Sequence, residues 1–199
     1  MSRVSDLTAL LQSRLAATKA LIEAAQGDDA LIGAAVEAAA LTAEAINHGG
    51  TLFICGNGGS AGEATHLSGE LIGPFANKTR RALPAVALGF DTSAASAVAN
   101  DFSFNEVFAR QLSALARSGD VLWALSTSGR SPNILRALEV GAERGVSTIL
   151  LTGAMRPDLP KADLVLAVPS RETPRIQELH LILGHFLCEV VELLTCAEA

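Results

Sequence analysis

The sequence is poor in aromatic residues and in cysteine. Aromatic side chains make up 4 % of its 199 residues, with one Trp and no Tyr, whereas 49 % of the residues are hydrophobic and many of these are Ala. Small apolar side chains let helices approach closely, so this composition is typical of tightly packed helices. The length suits one domain with a sizeable core, which we predict to span 1–199.

A basic surface is also lacking. The chain carries 15 Lys and Arg against 21 Asp and Glu, a formal net charge of −6, and it has no basic cluster. This charge argues against nucleic acid and anionic membranes as main partners, because both attract proteins through positive charge. A phosphorylated ligand would therefore have to be bound by local geometry rather than by bulk attraction.

No apolar run is long enough to predict a membrane span. The most apolar segments, near 30–46 and 179–195, are interrupted by Glu and His. Asp6 and Gln12 stand where a signal peptide would need an apolar core, which predicts a cytoplasmic protein. The three cysteines show no CxxC spacing and are predicted to be buried thiols.

Apolar runs alternate with segments of helical spacing along most of the chain. The predicted strands are 51–55, 85–88, 121–125, 146–151 and 164–168. The predicted helices are about 4–26, 29–47, 60–72, 92–101, 104–116, 132–144 and 174–196. Continuous apolar strands that alternate with helices are typical of an α/β fold with a parallel sheet covered on both faces.

Two Ala-rich helices precede the first strand. They form a predicted helical pair over 1–48, ahead of an α/β sandwich over 49–199. The apolar positions at helical spacing in the first helix are Val4, Leu7, Leu10, Leu11 and Leu15. Because a lone domain has little surface against which to bury both helices, we expect them to pack against a partner subunit.

Two loops rich in Gly or Ser each lie between a predicted strand and a predicted helix. The first is Gly56-Asn57-Gly58-Gly59-Ser60, and the second is Ser126-Thr127-Ser128-Gly129-Arg130-Ser131, in which Ser131 is a predicted helix cap. Free N–H groups and the dipole at a helix start favour anions, and glycine lets a ligand approach the backbone closely. Ligands of such sheets bind beyond the carboxyl ends of the strands. The two loops predict one phosphorylated ligand, with ordinary turns and caps as the alternative.

Two predicted helices carry candidate catalytic side chains. His66 and Glu70 lie side by side at i, i+4, as a metal pair, an acid–base pair or a surface ion pair. In the last helix, Gln177 and His185 are on the order of 12 Å apart along the axis. Spacing alone therefore favours His180 as the partner of Gln177. A hydrogen-bonded, half-buried structural role is the alternative for each histidine.

Taken together, these motifs resemble a sugar isomerase (SIS) domain, and within that group the phosphoheptose isomerases. The matching segments run in order through nearly the whole chain: Gly56 to Ser60 with His66 and Glu70, Leu83-Pro84-Ala85, Asn100-Asp101-Phe102, Gly119-Asp120-Val121, Ser126 to Gly129 with Ser131, Leu151-Thr152-Gly153, and Arg175 to His180 with His185. The resemblance implies a flavodoxin-like SIS fold with a five-stranded parallel sheet, helices on both faces and two leading helices. It also implies a homotetramer with active sites where subunits meet.

The resemblance further implies an aldose–ketose isomerase that converts sedoheptulose 7-phosphate to D-glycero-D-manno-heptose 7-phosphate through an ene-diol. Glu70 and His185 match the family's acid–base pair, so the family pattern selects His185 over His180. The positions that match a zinc site are His66, Glu70, Gln177 and His185. The positions that match substrate contacts are Asn57, Gly58, Gly59, Ser60, Glu70, Asn100, Asp101, Ser126, Thr127, Ser128, Ser131 and Gln177. From the sequence alone, Asn100-Asp101 has a helix C-cap as its alternative role.

Two departures from the family pattern keep alternatives open. Arg130 stands where Asn is frequent, and the segment Ala154 to Ala162 is short and carries two prolines. Isomerisation of another sugar phosphate is therefore one alternative. A non-catalytic SIS adaptor that binds a protein partner is the other; that branch lacks the residues that match Glu70 and His185, whereas this chain keeps both.

Overall fold

The apolar runs form one five-stranded sheet. The computed structural model of the chain describes residues 2–196. The strands are β1 (Leu52–Gly56), β2 (Ala85–Ala87), β3 (Val121–Ser126), β4 (Ser147–Thr152) and β5 (Leu164–Ala167). They pair in parallel in the order β2-β1-β3-β4-β5. The strand order reverses between β1 and β3, which is where ligands of doubly wound sheets bind.

Helices alternate with the strands, as predicted. They are α1 (Ser2–Gln26), α2 (Asp29–Asn47), α3 (Gly59–Ile72), α4 (Thr92–Asp101), α5 (Val107–Leu115), α6 (Pro132–Glu143) and α7 (Thr173–Thr195). Asp28 and Asp91 cap α2 and α4 by accepting hydrogen bonds from backbone N–H groups. The helix predicted over 104–116 is instead a 3₁₀ turn (Phe104–Glu106) followed by α5.

Alternating strand residues divide the core between the two faces of the sheet. In β1, Leu52 and Ile54 face the layer that contains α2, α3 and α7, whereas Phe53 and Cys55 face the layer of α5 and α6. Every residue of β1 and of β3 is buried. Because both faces are covered, these strands are continuous apolar runs rather than alternating ones.

The two leading helices differ in how much of their apolar surface the chain itself covers. α2 packs one face into the core through residues such as Leu31, Ala38 and Ile46. The expectation that both helices depend on a partner subunit is therefore wrong for this face of α2. In α1, by contrast, the five predicted apolar positions from Val4 to Leu15 are 50–73 % exposed.

The cysteines of the described residues are free thiols. Cys55 and Cys188 are buried, as expected, and Cys196 is partly buried.

Within residues 2–196, none of the helices combines the length and apolar character needed to cross a membrane.

Candidate active site

The glycine loop after β1 is held by a pair of amide side chains. Gly58 has φ +57, a conformation that favours glycine, and it occupies the N-cap position of α3 without a side-chain capping bond. Asn57 and Asn133 exchange two hydrogen bonds, each 2.8 Å long, between their side-chain amides. Asn133 is buried at the start of α6. This reciprocal bond, which the sequence analysis missed, joins the loop after β1 to the helix after β3.

The serine loop after β3 is organised by its own hydroxyl groups. The Oγ atoms of Ser126 and Ser131 lie 3.3 Å apart, and Gly129 N–H donates to Ser126 Oγ at 3.1 Å. Ser131 occupies the N-cap position of α6 as predicted, but its side chain makes no capping bond because it faces Ser126 instead. The loop is therefore preformed at the start of a helix, in the geometry that suits a phosphate group.

The short segment after β4 folds onto the serine loop. Arg130 forms an ion pair with Asp158 (2.7 Å), and Arg156 donates to the Ser128 carbonyl. Beside this contact lies a cavity of about 370 Å³ at the carboxyl ends of the strands, lined in part by Thr127, Ser128 and Arg171. The residues that depart from the family pattern therefore lie at the rim of the predicted phosphate loop.

Close packing of α3 against α7 assembles a second cluster. Gly184 of α7 lies so close to Leu67 of α3 that a Cβ at Gly184 would be 2.6 Å from the Leu67 Cδ1 atom. Because Gly184 has no side chain, α3 and α7 approach closely. His66 on α3 and His185 on α7 therefore face each other where the two helices meet. Their Nε2 atoms are 2.8 Å apart, and Glu70 Oε1 is 3.4 Å from His66 Nε2.

This triad of His66, Glu70 and His185 fits a zinc ion. Its three ligand atoms lie within 4.8 Å of one another. Two imidazoles and one carboxylate are the donor set of open catalytic zinc sites, in which the fourth position is left for water or substrate. In a tetrahedral site the ligand atoms are about 3.3 Å apart, so the two histidine rings would part slightly on binding.

Gln177 and His180 take other positions on α7. A Cβ at Gly59 would lie 2.5 Å from Gln177 Nε2, so the Gln177 amide packs against the first residue of α3. Gly59 precedes His66 by about 10 Å of helix. Thus the structure brings together three of the four predicted zinc ligands, with Gln177 beside the glycine loop. His180, which spacing favoured, is buried with Nε2 3.2 Å from the Thr152 carbonyl; the spacing preference is wrong because this ring faces β4.

Glu63 is a titratable residue that the sequence analysis missed. It lies on α3 one turn after Gly59 and one turn before His66, and the Ser60 side chain hydrogen-bonds to it. Its Oε2 atom is buried without a described partner. Burial raises the pKa of the Glu63 carboxyl to about 7, although the Ser60 hydrogen bond acts in the opposite direction. The i, i+3 and i+7 spacing of Glu63, His66 and Glu70 could have signalled this shared helix face.

Asn100 and Asp101 join neither cluster through their described hydrogen bonds. Asn100 Nδ2 donates to Asp101 Oδ1 at 2.8 Å, and both side chains are exposed at the end of α4. Their predicted contact with substrate therefore stays a prediction.

Comparison with known proteins identifies the family. Residues 15–153 match the SIS domain family. The phosphoheptose isomerase of a Bradyrhizobium strain (BTAi1) is 45 % identical over 193 residues, which cover 96 % of each chain. That of Thermodesulfovibrio yellowstonii is 46 % identical over 157 residues, or 78 % of each chain. The chain belongs to the SIS-domain phosphoheptose isomerases.

Solved structures of this family have the same fold. The structure of phosphoheptose isomerase GmhA from Neisseria gonorrhoeae superposes with a TM-score of 0.84 and 37 % identity, covering 94 % of this chain and 98 % of that one. A phosphoheptose isomerase from Francisella tularensis gives a TM-score of 0.83 at 32 % identity, over 96 % and 98 % of the two chains. The predicted flavodoxin-like SIS fold, with its two leading helices, is confirmed.

Proposed function

We propose that this chain is an aldose–ketose isomerase that converts sedoheptulose 7-phosphate to D-glycero-D-manno-heptose 7-phosphate. The observation that carries the proposal is the convergence of His66, Glu70 and His185 from two helices in a phosphoheptose isomerase fold. The same convergence favours the enzyme over the adaptor, because binding a protein partner does not require two imidazoles and a carboxylate at one point.

Glu70 and His185 divide the proton transfers between them. One base removes a proton from C1 of the ketose while the C2 carbonyl oxygen gains a proton, which gives the ene-diol. A proton then returns to C2, and the C1 hydroxyl gives up its proton as the aldehyde forms. The ligand atoms of Glu70 and His185 lie within 4.8 Å of each other, so both can act at one pair of substrate carbons, which supports this assignment.

His66, Glu70 and His185 would hold zinc; Gln177, the fourth predicted ligand, would have to turn away from Gly59 to join them. Bound there, zinc would supply Lewis-acid polarisation of the substrate carbonyl. Asn100 and Asp101 are proposed to orient sugar hydroxyls, and Asn57 and the glycine backbone at 58–59 to line the sugar site. Asn57 is held for this role by its amide pair with Asn133.

The serine loop would bind the substrate phosphate. Hydroxyls of Ser126, Thr127, Ser128 and Ser131, together with nearby backbone N–H groups, are proposed to surround the phosphate oxygens, with Ser60 at the facing loop. The neighbouring cavity and its arginines support this placement, because they supply local positive charge in an acidic chain. A phosphate held far from the reacting carbons also positions the sugar for the chemistry.

We infer that the chain assembles as a homotetramer in the cytoplasm, with active sites where subunits meet. The exposed apolar positions of α1 support the assembly, since the chain leaves them uncovered. Part of each exposed site, the Asn100–Asp101 pair included, would then be completed or closed by a neighbouring subunit.

Incubation with sedoheptulose 7-phosphate tests the proposed reaction. Proton NMR should show the anomeric signal of the aldose heptose 7-phosphate, and metal-stripped protein should regain activity when zinc is added. No product with or without zinc, from correctly folded protein, would refute the proposal. Turnover of a pentose or hexose phosphate alone would keep the isomerase but change its substrate.

A further inference from the structure

A buried ion pair lies behind the proposed active site. The Arg80 side chain is 1 % exposed, and that of Glu192 is 6 % exposed. The five N–H donors of Arg80 are all used, on the Glu192 carboxylate and on the backbone carbonyls of Glu70, Leu71, Gly73 and Arg81. A buried charge pair is tolerated when its remaining hydrogen-bonding groups are satisfied, and this one meets that condition.

Arg80 fastens the end of α3, where Glu70 lies. The last carbonyls of a helix have no partner within the helix, and a cation there is favoured by the helix dipole. Arg80 Nη2 lies 2.7 Å from the Glu70 carbonyl, and Nη1 lies 2.9 Å from that of Leu71. Through Glu192, the same guanidinium is tied to α7, the helix that carries His185.

Glu192 also holds the segment that follows α3, which includes Phe75. Its carboxylate accepts hydrogen bonds of 2.7–3.0 Å from the backbone N–H groups of Phe75, Ala76 and Asn77. The Phe75 ring packs against the His185 imidazole, with ring centroids 5.8 Å apart. The residues after α3 are therefore held so that the Phe75 ring packs against His185, one of the proposed zinc ligands.

We propose that the Arg80–Glu192 pair, acting through Phe75, is a positioning device for the His66–Glu70–His185 triad. It sets the spacing of α3 and α7 at the triad and orients the His185 ring, without touching the substrate. The inference rests on the proposed function only where turnover is measured. Residues that orient metal ligands typically change metal affinity or activity by about 10–100-fold when removed.

Phe75→Leu is the sharpest variant, because it removes the ring and keeps the backbone N–H that binds Glu192. Leu115→Ala, at a 54 % exposed apolar side chain at the end of α5, is the control. The double variant Arg80→Met/Glu192→Met tests the pair without leaving one buried charge unpaired. Zinc affinity is measured by competition with a chelator, and the imidazole ¹⁵N shifts of His66 and His185 are measured in metal-free protein.

We expect Phe75→Leu and the double variant to weaken zinc binding by about 10-fold or more and to shift both imidazole signals. Both should lower kcat by a similar factor and leave KM within about twofold, because the phosphate loop is untouched. Zinc affinity, imidazole shifts and kcat that match those of Leu115→Ala would overturn the proposal. If the wild type turns over no substrate, the proposed function fails, while zinc affinity and imidazole shifts still decide the role of the pair.

Discussion

His66 Nε2 lies 2.8 Å from His185 Nε2, although 119 positions separate the two residues in the chain. Their rings meet edge to face, with centroids 5.1 Å apart. At this distance one nitrogen must donate and the other accept, unless both bind the same cation. The contact fixes the meeting point of α3 and α7, and Glu70 lies on the α3 side of it.

Replacement of Glu70 by Gln should abolish most turnover. The amide cannot accept the proton, and general acid–base groups contribute about 10²–10⁴-fold to the rate. The measurement is kcat for sedoheptulose 7-phosphate, with circular dichroism and the molar mass as controls for folding. A loss of only a few-fold would remove Glu70 from the proton transfers.

Ser128→Ala should impair binding of phosphorylated sugars selectively. The hydroxyl is proposed to contact phosphate, so KM for sedoheptulose 7-phosphate should rise about 10–150-fold, in line with the ~1.5–3 kcal/mol of a hydrogen bond to a charged group. Competition by unphosphorylated sedoheptulose should be unchanged. An equal effect on both sugars would instead indicate a structural loop, because Ser128 Oγ also accepts a bond from Arg130 N–H.

The exposed apolar stripe of α1, formed by Val4, Leu7, Leu10, Leu11 and Leu15, should be required for assembly. Leu7→Glu combined with Leu11→Glu places two charges on side chains that are each 61 % exposed in the single chain. Light scattering should show the wild type at about four times the 20.6 kDa chain mass and the double variant at a smaller mass. Ser13→Glu, on the polar side of the same helix, should stay tetrameric; a tetrameric double variant would contradict the role of the stripe.

His180 should make the protein less stable at mildly acidic pH. Burial lowers the pKa of the His180 imidazole to about 4, although its hydrogen bond to the Thr152 carbonyl acts in the opposite direction. Between pH 6.5 and 4 the unfolded chain binds a proton that the folded chain does not, so stability falls as the pH falls. At pH 5 this contributes about 2 kcal/mol of lost stability.

Urea unfolding checks the predicted effect of His180 on stability. The wild type and His180→Gln are compared at pH 7.5 and pH 5, at one protein concentration. Because the raised pKa of the Glu63 carboxyl adds stability in both proteins as the pH falls, the wild type should lose more, or gain less, free energy of unfolding between pH 7.5 and pH 5 than the variant. Glu192 contributes little between pH 7.5 and pH 5, because a glutamate in the unfolded chain titrates at about 4.3, below this range. Burial alone would raise the pKa of its carboxyl, but hydrogen bonds from Arg80 and three backbone N–H groups lower it to about 2. Equal pH dependence in the two proteins would show that His180 does not titrate as described.

Most of the fold could be predicted because the sheet is covered on both faces. Strands such as β1 and β3 are buried on both faces, so each appears in the sequence as an unbroken apolar run. Glycine or aspartate marks the turns beside them. Which faces of α1 and α2 are covered was harder to predict. Their Ala-rich sequences are alike, and only the packing of α2 against α7 and the sheet decides which face is covered.

The site could be predicted in part. The two loops are visible as glycine and serine after apolar strands, but the choice between His180 and His185 depends on how α7 is rotated against α3. The close approach at Gly184 and Leu67 sets that rotation. The family resemblance selected His185 where spacing favoured His180. The Asn57–Asn133 bond and the Arg80–Glu192 pair join distant segments through tertiary packing, which local periodicity does not encode.

The most direct test of the central claim is isomerisation in D₂O. If the Glu70–His185 pair moves a proton through an ene-diol, the base exchanges with solvent and deuterium appears at C2 of the aldose product. Proton NMR should then show heptose 7-phosphate with a diminished H2 signal, and Glu70→Gln should form it at least about 10²-fold more slowly. Product with full protium at C2 would show that the transferred hydrogen never exchanges with solvent, and it would contradict proton transfer by a solvent-exchanging Glu70–His185 pair.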